Sequence, residues 1–93
     1  MNNLKLLFYK ISKDYLKGRT NRSETAYRLS ESTDYFDDSR ISDDPFLANW
    51  YFAIDHLSDE YETTDREIEY YIECYEGKKT FSEKERDDVI ING

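Results

Sequence analysis

Between Asp55 and Gly77 the chain reads DHLSDEYETTDREIEYYIECYEG, and nine of these residues are carboxylates against one arginine, Arg66. Carboxylates at this density can do three kinds of work. They can act as general acid and base, hold a cation, or present negative charge to a basic partner. Acid–base catalysis gains no support from pairing alone, because paired carboxylates recur along the whole stretch and nothing singles one pair out. A nucleophile would have to come from Cys74 with His56, the only cysteine and the only histidine. No local signature surrounds either residue, so Cys74 reads as flanking the core and His56 as a surface residue. The chain is therefore expected not to be an enzyme.

Metal and phosphate sites fare no better. DYFDDSRISDD, beginning at Asp34, has the acidity of a calcium loop but places Ser39 where glycine is needed. It also places Pro45 where a bidentate glutamate is needed. Gly18, Gly77 and Gly93 are isolated, and none builds a phosphate-cradling loop. No cofactor and no metal site is expected.

The third use of the carboxylates depends on which elements carry them. Helical spacing of apolar residues dominates and no segment alternates with period two for long. Leu4, Leu7, Phe8, Ile11 and Tyr15 form a first stripe, closed by Gly18. Asn21 and Glu24 have N-cap and N3 spacing and open a second helix with Ala26, Leu29, Thr33 and Phe36 inward. DDSRISDDP breaks the pattern. Asp44 before Pro45 then starts a third helix on Leu47, Trp50, Ile54, Leu57 and Tyr61. Thr64 and Glu67 make a second capping-box pair, opening a helix with Ile68, Tyr71, Ile72 and Tyr75 inward and Gly77 as its stop. A last short helix from Ser82 docks through Val89 and Ile90. The expectation is an all-α single domain over residues 1–93, a small antiparallel bundle of four main helices with a short C-terminal helix.

On a helical wheel Asp55, Asp59 and Glu62 fall on one line away from the core, with Phe52 beside them. Glu69, Glu73 and Glu76 form a second line, with Tyr70 nearly opposite the apolar stripe. These lines are either ordinary solvated faces or one interaction surface. Aromatic residues inside a charged field, here Phe52 and Tyr70, are typical interface anchors.

Composition limits the partner. The net charge is −8, which argues against a general nucleic-acid or anionic-membrane binder. The charge is also uneven, +5 over residues 1–30, −13 over 31–77 and zero beyond. One cysteine excludes an intramolecular disulfide. No apolar run reaches the ~20 residues of a membrane span, and the N-terminus lacks a secretory pattern. The expected location is the cytoplasm.

The succession DYLKGRTNRSETAYRLSES, DPFLANWYFAIDHLSDEYE, TDREIEYYIECYEG resembles the small helical bacterial immunity proteins, in particular the colicin D-type group and the related contact-dependent growth inhibition immunity proteins. The likeness lies in a first helix ending in Lys17–Gly18, a Thr/Ser-led second helix, and an aromatic third helix followed by an acidic one. It implies a stoichiometric inhibitor that binds a cognate basic toxin nuclease domain, often a tRNA-cutting one, without touching nucleic acid itself. Phe52, Asp55, Asp59 and Glu62 would then form one half of the contact, and Glu69, Tyr70, Glu73 and Glu76 the other. The alternative is a phage-type acidic nucleic-acid mimic that blocks a restriction or CRISPR effector. A helical adaptor is a further class, distinguished by binding insensitive to salt.

Overall fold

The helix boundaries follow from short-range capping chemistry. The computed structural model describes residues 3–33, 38–59 and 63–92, and among these there are six α-helices and no strand. Helix α1 (Leu4–Leu16) is capped by Asn3 and ends at Gly18, whose φ of 77° only glycine adopts cheaply. Helix α2 (Arg22–Ser32) opens on the expected capping box. The Asn21 side chain accepts from the Glu24 amide at 2.8 Å, and Glu24 accepts from the Asn21 amide at 3.0 Å. It stops at Ser32, so Thr33 caps the helix rather than facing inward from it, and Phe36 lies outside the described residues.

The segment read as a break contains a four-residue helix, α3 (Ser39–Ser42), which buries Ile41 completely. Asp38 caps α3 and pairs with Arg40 at 2.7 Å, and Asp44 caps α4 (Pro45–Asp55) through the amides of Phe46 and Leu47. Helix α5 (Asp65–Tyr75) is capped by Thr64, and Gly77 after it has φ 81°. Only half of the second expected capping box forms. Thr64 accepts from the Glu67 amide, but the Glu67 side chain turns inward to Tyr71 instead. Helix α6 (Glu83–Asn92) is a full ten-residue element. It is held near its start by the half-buried Phe81 and along its length by the half-buried Val89. Ile90, expected to dock it, is 41% exposed.

One aromatic cluster joins α1, α4, α5 and the lead-in to α6. Trp50 meets Phe8 edge-on at 5.7 Å and stacks on Phe46 at 5.2 Å and Tyr71 at 6.1 Å. Phe81 closes over Tyr71 at 6.1 Å and Phe46 at 5.4 Å. Trp50, Tyr70, Tyr71 and Phe8 are fully buried. Such rings each remove a large apolar area from water and add edge and stacking energy, which suits a chain too short for a thick aliphatic core. Their polar atoms are satisfied, since Trp50 Nε1 donates to Ser12 Oγ at 3.0 Å and the Tyr71 hydroxyl donates to Glu67 at 3.1 Å.

Candidate functional site

The two acidic lines differ sharply once folded. On α5, Glu73 is 2.8 Å and Glu69 3.6 Å from Arg66 Nη1. Glu76 accepts from the Tyr9 hydroxyl at 2.8 Å and pairs with Lys78 at 3.2 Å. The Arg66 hydrogen bond holds the Glu73 carboxyl below its ordinary range, and the Tyr9 and Lys78 contacts do the same for Glu76. This line borders a cleft of about 470 Å³ against the basic side of α1, lined by Lys13, Lys17, Arg66 and Glu73. Elsewhere Asp14 is clamped by Arg28 at 2.6 Å and Arg19 at 3.2 Å. These pairs engage charges mostly within one block of the sequence, while Lys5–Asp44 at 3.9 Å and Arg22–Asp65 at 4.0 Å join the basic first third to the acidic middle.

Tyr70 does not present itself to a partner. It is fully buried, with its ring against Tyr71 and Phe81, and its hydroxyl accepts from the Ser82 amide at 3.0 Å. Burial pushes its phenol up to about 12. The wheel placed it outward because the covering segment, Phe81 and Ser82, comes from the next part of the chain and leaves no trace in the periodicity of α5.

The first line departs from expectation in another way. Helix α4 ends at Asp55 and passes into a one-turn 3-10 helix, His56–Ser58, so Asp59 sits past the helical end. Glu62, like Tyr61, lies outside the described residues. Carboxylates at a helix C-terminus oppose its dipole, which favours this early stop. Tertiary bonds then fix the end. Thr63 Oγ1 donates to the Ala53 carbonyl at 2.7 Å, and Arg22 Nε donates to the Leu57 carbonyl at 2.9 Å. The same guanidinium reaches the Thr63 carbonyl and the Tyr15 hydroxyl. Arg22 positions this corner and was not singled out from the sequence. One sign was available, because a cation in the first turn of a helix is electrostatically misplaced and needs another reason.

Asp55 is half-buried and Asp59 exposed, and neither makes an ion pair among the described residues. Phe52, one turn before Asp55, is 37% exposed with its ring 6.1 Å from His56. Phe52 and His56 border a cleft of about 310 Å³ between α4, α5 and α6, lined also by Asn49, Thr63, Glu67, Arg86 and Ile90. His56 and Cys74 are not brought together in this way. Cys74 borders a separate cleft with Lys5 and Phe46, and burial pushes its thiol up, opposite to what a nucleophile needs.

Glu67 is 6% exposed, and burial raises its carboxyl above the ordinary range, the Tyr71 hydrogen bond opposing this only in part. A folded-state value above the unfolded one means a stability contribution present at low pH and lost as pH rises through the folded value. Glu67→Gln keeps an acceptor for Tyr71 and stays neutral throughout. It is expected to raise Tm by a few degrees at pH 7 and to give no gain at pH 4, read from thermal melts of both proteins. An equal gain at the two pH values would refute the buried-charge account.

The fold is an all-α bundle, with paired carboxylates along α5 and, at the end of α4, an acidic corner that makes no ion pair among the described residues. No protein-family model, no curated protein and no solved structure matches the chain.

Proposed function

We propose that the protein is an immunity-type inhibitor that binds a cognate basic toxin nuclease domain in the cytoplasm, stoichiometrically and with no chemistry of its own. The observation that carries this is the corner at the end of α4, where exposed Phe52 lies one turn before Asp55 and Asp59 follows just past the 3-10 turn, neither carboxylate having a cation of its own among the described residues. An aromatic anchor in an acidic field suits a basic protein surface. The charges speed encounter and reject wrong partners, and the ring supplies desolvated contact area. The resemblance to small immunity proteins supports the choice of partner. The internal pairing of Glu69, Glu73 and Glu76 favours this reading over the nucleic-acid mimic, which needs a long ladder of carboxylates open to solvent. It also moves the expected contact away from the Glu69, Glu73 and Glu76 line and onto the α4 corner.

The test uses the wild-type protein and Asp55→Lys/Asp59→Lys as baits in extracts of the source cells, with retained proteins identified by mass spectrometry. Wild type should retain a basic nuclease domain, and affinity for that purified domain should fall by about tenfold or more in the variant. Both baits should show the same helical circular dichroism. Equal retention of one partner by both would remove the α4 corner from the interface, and a partner that is not a nuclease would remove the immunity reading.

A further inference from the structure

The cleft beside Phe52 holds a buried carboxylate that makes no ion pair among the described residues. Glu67 is 6% exposed, and the Tyr71 hydroxyl donates to its Oε2 at 3.1 Å. Its Oε1 accepts no hydrogen bond among the described residues. No buried side-chain oxygen among the described residues lacks a partner, so this atom opens on the cleft that Glu67 borders. No Lys, Arg or His lies within ion-pair distance of the carboxylate among the described residues.

The one arginine in the cleft is already engaged. Arg86 donates from Nε and Nη2 to Asp87 Oδ1, at 3.2 and 2.8 Å, and from Nη1 to Asn49 Oδ1. Asp87 and Asn49 therefore hold the Arg86 head, which acts on Glu67 only through its field and forms no ion pair with it. The other ionisable groups lining the cleft are Glu67 and His56. The walls beside the carboxylate are Phe52 and Ile90, which are 37% and 41% exposed. A buried carboxylate with an open oxygen, an aromatic face and an aliphatic wall match one kind of side chain. It is long, apolar along its stem and cationic at its tip.

We propose that this cleft receives an arginine side chain of the basic partner, its guanidinium on Glu67 and its stem against Phe52 and Ile90. Arginine suits the site better than lysine because its planar, weakly hydrated head stacks on aromatic rings and enters partly buried carboxylate sites at lower desolvation cost. The proposal rests on the partner-binding reading above and gives it a centre. Asp55 and Asp59 attract the basic surface, and Glu67 takes its anchor.

The probe is Nα-acetyl-arginine amide, titrated into the full-length protein and followed by NMR at the Phe52 and His56 rings and the Ile90 methyls. Saturable shifts confined to these residues are expected. Glu67→Gln should weaken binding by at least about tenfold, and Phe52→Ala should weaken it too, with both variants retaining wild-type circular dichroism. Nα-acetyl-citrulline amide, the neutral isostere, should produce no saturable shift. Shifts spread over the acidic surface, equal binding by Glu67→Gln, or equal binding of the citrulline compound would each overturn the proposal. The two readings fail separately. Partner capture that depends on Asp55 and Asp59, with the arginine amide silent, removes the cleft alone. Arginine amide bound in the cleft, with capture indifferent to Asp55 and Asp59, removes the docking corner and keeps the cleft.

Discussion

Trp50→Ala is expected to remove ~3–5 kcal/mol of stability, the range for truncating a fully buried large aromatic. Trp50 is 0% exposed and, among the described residues, touches the rings of Phe8, Phe46, Tyr71 and Tyr75. These rings come from α1, α4 and α5, so the cavity opens where three helices meet and none can close it alone. The change also strips the buried Ser12 hydroxyl of its 3.0 Å bond from the indole. Domains hold roughly 0.05–0.15 kcal/mol per residue, so a chain of 93 residues could lose half its stability or more. Urea denaturation followed by circular dichroism measures this, because the variant lacks the only tryptophan. Trp50→Phe keeps a ring in place and loses the hydrogen bond, and should cost ~1–2 kcal/mol. A loss below about 1 kcal/mol for the alanine variant would mean that the aromatic cluster does not hold the bundle together.

The parts of this fold that the sequence displays are those made by neighbours in the chain. Asn21 with Glu24, Asp44 before Pro45, Thr64, and Gly18 and Gly77 all mark helix ends, because caps act over three or four residues. The inward stripes of α1 and α5 are legible for the same reason, and so is the all-α class. What escapes local reading depends on contacts across the chain. Tyr70 is buried by Phe81 and Ser82, and Ile90 stays exposed because Val89 and Phe81 hold α6 instead. Glu67 satisfied the capping spacing yet swings into the core toward Tyr71. The acidic lines looked equivalent on a wheel. Arg66 and Lys78 pair with one, Tyr9 hydrogen-bonding to it as well, while the other is cut short where α4 gives way to a 3-10 turn. Of the candidate contact residues, Phe52 and Asp55 meet at one corner with Asp59 just beyond the helix end. Glu69, Glu73 and Glu76 form a separate, internally paired edge.

That corner depends on Arg22, and Arg22→Ala is expected to cost ~2–3 kcal/mol, since hydrogen bonds from charged groups contribute about 1.5–3 kcal/mol each and water can replace some of them. The guanidinium spans three segments. It donates to the Leu57 carbonyl at 2.9 Å, to the Tyr15 hydroxyl at 3.1 Å and to the Thr63 carbonyl, with Asp65 at 4.0 Å. The two carbonyls flank the segment that carries Asp59, so the bond pair pins both ends of that acidic connection to α2. Without it, Leu57 and Thr63 lose their acceptors' partners and the 3-10 turn with His56 loosens. Arg22→Lys should recover only part of the loss, because an ammonium cannot hold two carbonyls and a hydroxyl in one plane. Chemical denaturation gives the size of the effect, and amide hydrogen exchange gives its place. Faster exchange should appear at Asp59, whose amide donates to the His56 carbonyl at 3.0 Å, well before it appears in α1 or α5. Full recovery by lysine, or exchange that rises evenly across all helices, would show that Arg22 adds general stability without positioning the corner. If the localised pattern holds, binding of the proposed partner should weaken in Arg22→Ala although Arg22 is not itself a proposed contact residue, because the turn that carries His56 and leads to Asp59 would no longer be held at the end of α4.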